Sequence, residues 1–331
     1  MNGLAMADCH NDLLMAVRHL RERGHADPFG DFWLGQLREG GVVLQVLPVC
    51  TEEQFAGEAA LRRCLLMIED AYHLADAHRA DVSVVHTGAE LTDTIKQGRI
   101  ALVLAIEGAE PVGHDLAILD ALFRAGVRMS SMTWNRRTLM ADGVGEHDTG
   151  GRLTGLGVEA VLEMERLGMV LDVSHLSEAG FWHVVDVADK PFVASHSSCR
   201  ALQDHPRNLT DGQIRAVAAS GGFVALNAFG PFLSPEPDVL SYVDHIVHAV
   251  QLVGADHVGL GPDFIDDVAA TVDPIFTGLL VNPTSLPVVK DLRQPADLVG
   301  LGPIMIERLG AEIARQVASK TMLDFLTLAL P

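Results

Sequence analysis

Short apolar runs alternate with amphipathic stretches along the whole chain. The runs predict strands at 4–9, 41–49, 82–86, 100–106, 126–133, 169–174, 191–195, 221–227 and 256–262. Between them, apolar positions recur at helical spacing over 52–79, 88–97, 114–125, 155–167, 177–187, 210–219, 238–253 and 303–328, the last one broken. Strand then helix, repeated to the end, is the pattern of a parallel sheet with helical crossovers. The runs at 100–106 and 169–173 are apolar almost without interruption, as strands covered on both faces are.

Nine strands exceed the eight of a (β/α)8 barrel by one, and 82–86 reads as a short extra strand or a helix-to-strand connector. An open, doubly wound sheet is the competing architecture. No glycine-rich phosphate turn follows the first strand, which favours the TIM-type barrel. So does the spread of ionisable strand ends from near residue 10 to near residue 263, because only a barrel brings all its C-terminal strand ends to one mouth. Residues 1–331 therefore read as a single α/β barrel domain. The stretch 264–297, rich in Pro, Asp and Thr, reads as an active-site loop rather than a linker.

Composition narrows the class. The 331 residues are 48% hydrophobic, with a mean hydropathy of +0.23, so a large core is expected. A formal net charge of −20 argues against nucleic acid and anionic membrane surfaces as partners. No apolar run is long enough to cross a membrane. The four cysteines, Cys9, Cys50, Cys64 and Cys199, form no CxxC pair and no disulfide framework. With no basic, apolar leader at the N-terminus, the expectation is a cytoplasmic protein, and a homo-oligomer is left open.

The candidate chemistry sits at the strand ends. His10 and Asp12 leave the first run together and, at i and i+2 on extended chain, point the same way. Glu107 ends the run Ile100–Ile106, His175 follows Met169–Ser174, and His196 follows Pro191–Ser195. A lone histidine at a strand end is more often structural than a ligand, and the other twelve histidines read as ordinary. A lone Glu107 could equally cap a helix. Taken together, three imidazoles and two carboxylates suffice for two divalent ions sharing one bridge. Glu107 is the natural bridge, with His10 and Asp12 on one ion and His175 and His196 on the other. Nitrogen and oxygen ligands with open positions favour zinc, with manganese and cobalt as alternatives.

These motifs resemble the membrane (renal) dipeptidase family, the M19 zinc dipeptidases. Asp8-Cys9-His10-Asn11-Asp12 is similar to the family's DGHND motif, and Ile106-Glu107-Gly108 to its bridging-glutamate motif. Asp172-Val173-Ser174-His175 and Ser195-His196-Ser197-Ser198 are similar to its two histidine motifs. Pro206-Arg207-Asn208-Leu209 and Gly261-Pro262-Asp263-Phe264 complete the series. The resemblance runs from the first strand to about residue 264. It implies a metallo-dependent hydrolase barrel with two zinc ions. The implied reaction is hydrolysis of a dipeptide with a free C-terminal carboxylate by a hydroxide bridging the ions. Arg207 would grip that carboxylate, and Asp263 would pass the proton from the attacking water to the leaving amine. Without the family, Arg207 reads as a surface arginine and Asp263 as a turn cap.

The sequence also departs from the family. Trp134 stands where well-known members carry a histidine that contacts the scissile carbonyl, which leaves Trp134, Asn135, a nearby arginine or a metal to hold the oxyanion. Cys9 replaces a glycine and is expected to point away from the metals. The late asparagine-arginine motif is absent around Ala318-Ser319-Lys320. Two other readings remain. One is an amide or lactam hydrolase on the same two-metal site. The other is a binding protein on a retired barrel.

Overall fold

The computed structural model describes residues 3–272 and 288–331. Among the described residues there are eight strands: β1 (Met6–Asp8), β2 (Val42–Cys50), β3 (Val82–Val84), β4 (Ile100–Glu107), β5 (Val127–Ser131), β6 (Val170–Asp172), β7 (Val224–Leu226) and β8 (Val258–Leu260). Seven of them run side by side in the order β6-β5-β4-β2-β1-β8-β7, every pair parallel.

The gap between β6 and β7 is closed by two residues. Val193 bridges Asp172 and Ala194 bridges Val224, both in parallel. Val193 donates to Leu171 O (3.0 Å), and its carbonyl accepts from Val173 N (2.8 Å). Ala194 exchanges the equivalent pair with Phe223 and Ala225. The strand expected at 191–195 is thus a two-residue stave, and with it the ring has eight. The extra run at 82–86 is a short strand outside the ring. β3 pairs with Ile100–Leu102 of β4, on the side where β5 takes over from Leu104 onward.

Alternation along β4 sets up the site. Ala101, Val103 and Ala105 point into the barrel, where they meet Ala7, Leu44, Val46, Met129, Val193 and Ala225. Leu102, Leu104 and Ile106 face the surrounding helices. The next inward position is Glu107, so the apolar filling ends in a carboxylate at the mouth. The opposite end is shut by the last helix, Thr321–Ala329, which places Met322 and Leu326 in the same interior cluster.

Helix starts expected at 155, 177, 210 and 238 lie within a residue of those observed. Thr154, Ser177, Thr210 and Asp238 each accept an amide of the first turn. Other expectations need correction. The helix expected over 52–79 runs only Glu58–Ala77, because Gly57 enters it at φ 59°. Helix Leu13–Glu22 and the helical turns over 29–39 were not expected. Leu13 to Val17 are buried in succession, which hides the amphipathic period. The final helix is broken, as expected, into pieces over 298–329, with a stop at Gly310. Residues 273–287 of the expected active-site loop, 264–297, lie outside the described residues. Its start forms a helix at Asp266–Thr271.

Candidate active site

The five expected ligands meet at the mouth of the ring. His10 and Asp12 come together for a reason other than extended-chain alternation, since the chain bends at Cys9 and helix begins at Leu13. Asp8 Oδ1 accepts the His10 amide (2.9 Å), and Asn11 Oδ1 accepts the Leu13 amide (3.1 Å). Asn11 thereby does the capping, and the Asp12 carboxylate makes no cap bond. Cys9 packs with Ala7 in the apolar barrel interior. His175 and Asp263 adopt left-handed backbone, with φ of 66° and 60°. Non-glycine residues hold such conformations only where their surroundings dictate it. The His175 carbonyl accepts from Val144 N (2.7 Å), and Asp263 N donates to the His10 carbonyl (3.3 Å).

Glu107 stands at the centre. Its Oε2 is 3.6 Å from His10 Nε2, and its Oε1 is 2.9 Å from His175 Nε2 and 3.2 Å from His196 Nε2. His10 Nε2 also lies 3.8 Å from Asp12 Oδ2 and 4.0 Å from Asp263 Oδ1. Each oxygen of one buried carboxylate therefore serves a different half of the ligand set. Two overlapping groups could each hold an ion: His10, Glu107 and His196, and His10, Asp12 and Asp263.

The proton positions test whether metal fits. His175 Nδ1 lies 2.8 Å from Asn135 Oδ1, an acceptor, so Nδ1 carries the hydrogen. Ser195 donates its hydroxyl to Asp172 Oδ2 (2.5 Å), so at 2.7 Å from His196 Nδ1 it accepts. Both rings, held neutral by burial well below the usual histidine range, then aim Nε2 lone pairs inward. Those two atoms are 2.8 Å apart and share Glu107 Oε1. Three lone pairs converging in a buried space repel unless a cation lies among them. His10 Nε2, Asp12 Oδ1 and Glu107 Oε2 are buried with no hydrogen-bond partner among the described residues, which points the same way. Burial opposes charge on His10, yet Glu107, Asp12 and Asp263 push its pKa up to about 10. Burial lifts Glu107 to about 8. The cluster attracts positive charge, and the donor set fits divalent metal.

Around the cluster lies a cavity of about 440 Å³, lined by Asp12, Glu107, Trp134, Asn135, His175, Arg207 and Asp263 among others. Arg207 is buried. Its Nη1 donates to Ser197 Oγ and its Nη2 to the His196 carbonyl, both at 2.8 Å, while Nε has no partner among the described residues. Burial lowers its pKa to about 10, so it stays cationic at neutral pH. It is not the surface arginine of the bland reading. Trp134 leans over His175 with ring centroids 6.2 Å apart. A second cavity, about 510 Å³, opens at the far end beside the last helix and includes none of these residues.

Several neighbours escaped the sequence reading. His147, His205, Phe229 and Phe232 line the cavity, although both histidines read as ordinary. Cys50 lines it too, paired in register with Glu107. Asp172 and Ser195 hold His196. Asn227 donates to Asp263 Oδ2 (3.0 Å). For Cys50 and Asn227 the signal was present, since each ends a strand-like run at the C-terminal side of the ring.

Comparison with known proteins agrees with this geometry. Residues 1–275 match the membrane dipeptidase family, peptidase family M19. Dipeptidase verJ of Clonostachys rogersoniana is 30% identical over 240 residues, 70% of this chain and 62% of that protein. The chain spans less than two thirds of the length of the curated relatives it matches. Among solved structures, a metallo peptidase from Rhodobacter sphaeroides, liganded with a phosphinate mimic of the dipeptide L-Ala-D-Ala, is 26% identical. It superposes with a TM-score of 0.86 over 100% of both chains. The dipeptidase AC, a metallo peptidase of family M19, is 27% identical with a TM-score of 0.87 over 99% of both. The TIM-type barrel, the divalent metal that such relatives imply and the motif series all converge: this chain belongs to the membrane dipeptidase family, peptidase family M19.

Proposed function

We propose that this protein is a metallo-dipeptidase that hydrolyses dipeptides bearing a free C-terminal carboxylate. The observation that carries the reading is Glu107, whose two oxygens face His10 on one side and His175 with His196 on the other, in a cavity that also holds Arg207. His10 and Asp12 would hold one ion, His175 and His196 the other, with Glu107 between them. The nitrogen and oxygen donors favour zinc. Divalent ions held there would lower the pKa of a bound water and polarise a carbonyl oxygen.

The chain's own residues supply the rest. Arg207 receives the substrate carboxylate, for which a planar guanidinium fork is suited. A carboxylate held at a buried arginine leaves no space for a further residue, which restricts the length to two. Asp263 takes the proton from the attacking water at Oδ1 and returns it to the leaving amine. Burial raises its pKa above the usual carboxylate range, toward the value such a shuttle needs. Asn135 Oδ1 is engaged by His175, which leaves Asn135 Nδ2 to donate to the substrate, and Trp134 forms part of the wall beside it. All four cysteines are free and buried, which suits a reducing, cytoplasmic setting. Among the described residues, no helix is long and apolar enough to cross a membrane.

The test is a dipeptide library, varied at both positions and in the stereochemistry of the second, assayed with added zinc beside a panel of cyclic amides. Turnover of dipeptides with two equivalents of bound metal is expected. Turnover confined to cyclic amides, or less than one equivalent of metal with no dipeptide hydrolysis, would overturn the reading.

A further inference from the structure

Asp263 is expected to handle protons, and a handler of protons needs a fixed direction. Its backbone sits at φ 60° directly after β8, and one carboxylate oxygen, Oδ1, faces His10. The other, Oδ2, accepts from Asn227 Nδ2 at 3.0 Å. Asn227 is fully buried and stands at the end of β7, between the His196 stave and β8.

Every other polar atom of the Asn227 side chain and its carbonyl is committed. Oδ1 accepts the Phe229 amide (2.5 Å), and the backbone carbonyl accepts from Ser198 Oγ (2.7 Å). Because Oδ1 takes an N–H, the amide cannot be flipped, and Nδ2 must be the atom at Asp263. Nδ2 also lies 3.5 Å from the His196 carbonyl, the same oxygen that Arg207 holds from the other side. A single buried carboxamide thus ties Asp263 to the backbone of one ligand strand and to the arginine's partner.

We propose that Asn227 is a positioning residue. Its Nδ2–H pins Oδ2 of Asp263, so that Oδ1 alone is presented to the attacking water and then to the leaving amine. Asn227 touches neither substrate nor metal; it acts through Asp263. The proposal rests on the role given to Asp263 above. A misplacement of about 1 Å at a reacting group costs on the order of 100-fold in rate, which sets the scale of the effect.

The test uses metal-loaded enzyme carrying N227A, N227D, D263N or N227A with D263N. N227D keeps an acceptor for the Phe229 amide but sets a second carboxyl group against Asp263, so it tests folding of the turn while also shifting the pH profile of kcat, which N227A does not. Either single Asn227 variant should lower kcat about 10- to 100-fold, with KM within about threefold and metal content unchanged. In the D263N background, N227A should cost nothing further. A crystal structure of N227A should show the Asp263 carboxylate rotated away from its present direction, with the five ligands in place. An unchanged kcat would overturn the proposal. So would an equal additional loss in the D263N background, loss of metal together with activity, or an unmoved carboxylate. If the unaltered enzyme hydrolyses no dipeptide, the dipeptidase reading fails alone. The carboxylate's direction in the variant crystal still decides the role of Asn227.

Discussion

Asn135 Oδ1 lies 2.8 Å from Nδ1 of His175, so a residue of the loop after β5 sets the ring orientation of a candidate metal ligand after β6. Partners of this kind commonly change metal affinity by about 10- to 100-fold when removed. Asn135→Ala should weaken binding of the second ion by that factor, read by competition with a chromophoric chelator. Asn135→Asp, which keeps the acceptor, should retain more of the affinity. Equal affinity in all three proteins would show that the cavity wall alone orients His175.

Arg207 gives a prediction about substrate ends. Hydrogen bonds to a charged group contribute about 1.5–3 kcal/mol, or roughly 10- to 150-fold in kcat/KM. Arg207→Ala should lose about that much on dipeptides. C-terminal amidation of the substrate should cost the unaltered enzyme a similar factor and the variant almost nothing. A variant that still distinguishes acid from amide would place carboxylate recognition elsewhere.

Metal removal should carry a pH signature. In the metal-free chain, Glu107 rises from 4.5 to about 8 and His10 from 6.5 to about 10. Each raised group favours folding at low pH, where it is protonated in both states. That contribution is lost as pH climbs through the folded value. Chelated protein should therefore lose Tm progressively between about pH 4.5 and 10, most steeply from about 6.5 to 8 where the two ranges overlap. Metal-loaded protein, with cations in place of those protons, should lose less over the same range. Parallel Tm curves would show that the cluster does not hold metal.

Gly261 tests the seam next to the site. A methyl added there would meet the Ser195 carbonyl oxygen inside van der Waals contact, and backbone cannot easily give way. Gly261→Ala should destabilise by about 1–3 kcal/mol, read as a lower Tm in denaturation. It should also weaken metal binding, because Ser195 holds His196.

Much of this was legible in the chain because a parallel barrel writes its mouth into the sequence. An apolar run such as Ile100–Ile106, ending in Glu107, names both a stave and its ligand. The same rule finds His175 and His196. What stayed hidden depends on contacts between distant strands. Asn227 meets Asp263, and Asp172 meets Ser195, only after the ring closes. The ordering of Asp12 was legible for a mistaken reason, since a helix start rather than extended chain brings it beside His10. Helix Leu13–Glu22 was hidden because its first turn is buried on every side. The stave at Val193 and Ala194 was over-read, because an apolar run of five residues supplies only two bridges.

That two-residue stave has a consequence for how the molecule holds together. Elsewhere the ring is laced by ladders as long as the seven paired residues between β2 and β4, but between β6 and β7 the lacing is one bridge on each side. The missing backbone bonds are supplied by side chains: Asp172 takes the Ser195 amide and hydroxyl, and Ser174 takes the His196 amide. One of them, the Ser195 hydroxyl, also meets Nδ1 of His196 and so aims that imidazole. Metal at the site would therefore also fasten one of the barrel's thinnest seams, and protein stripped of metal should come undone there early.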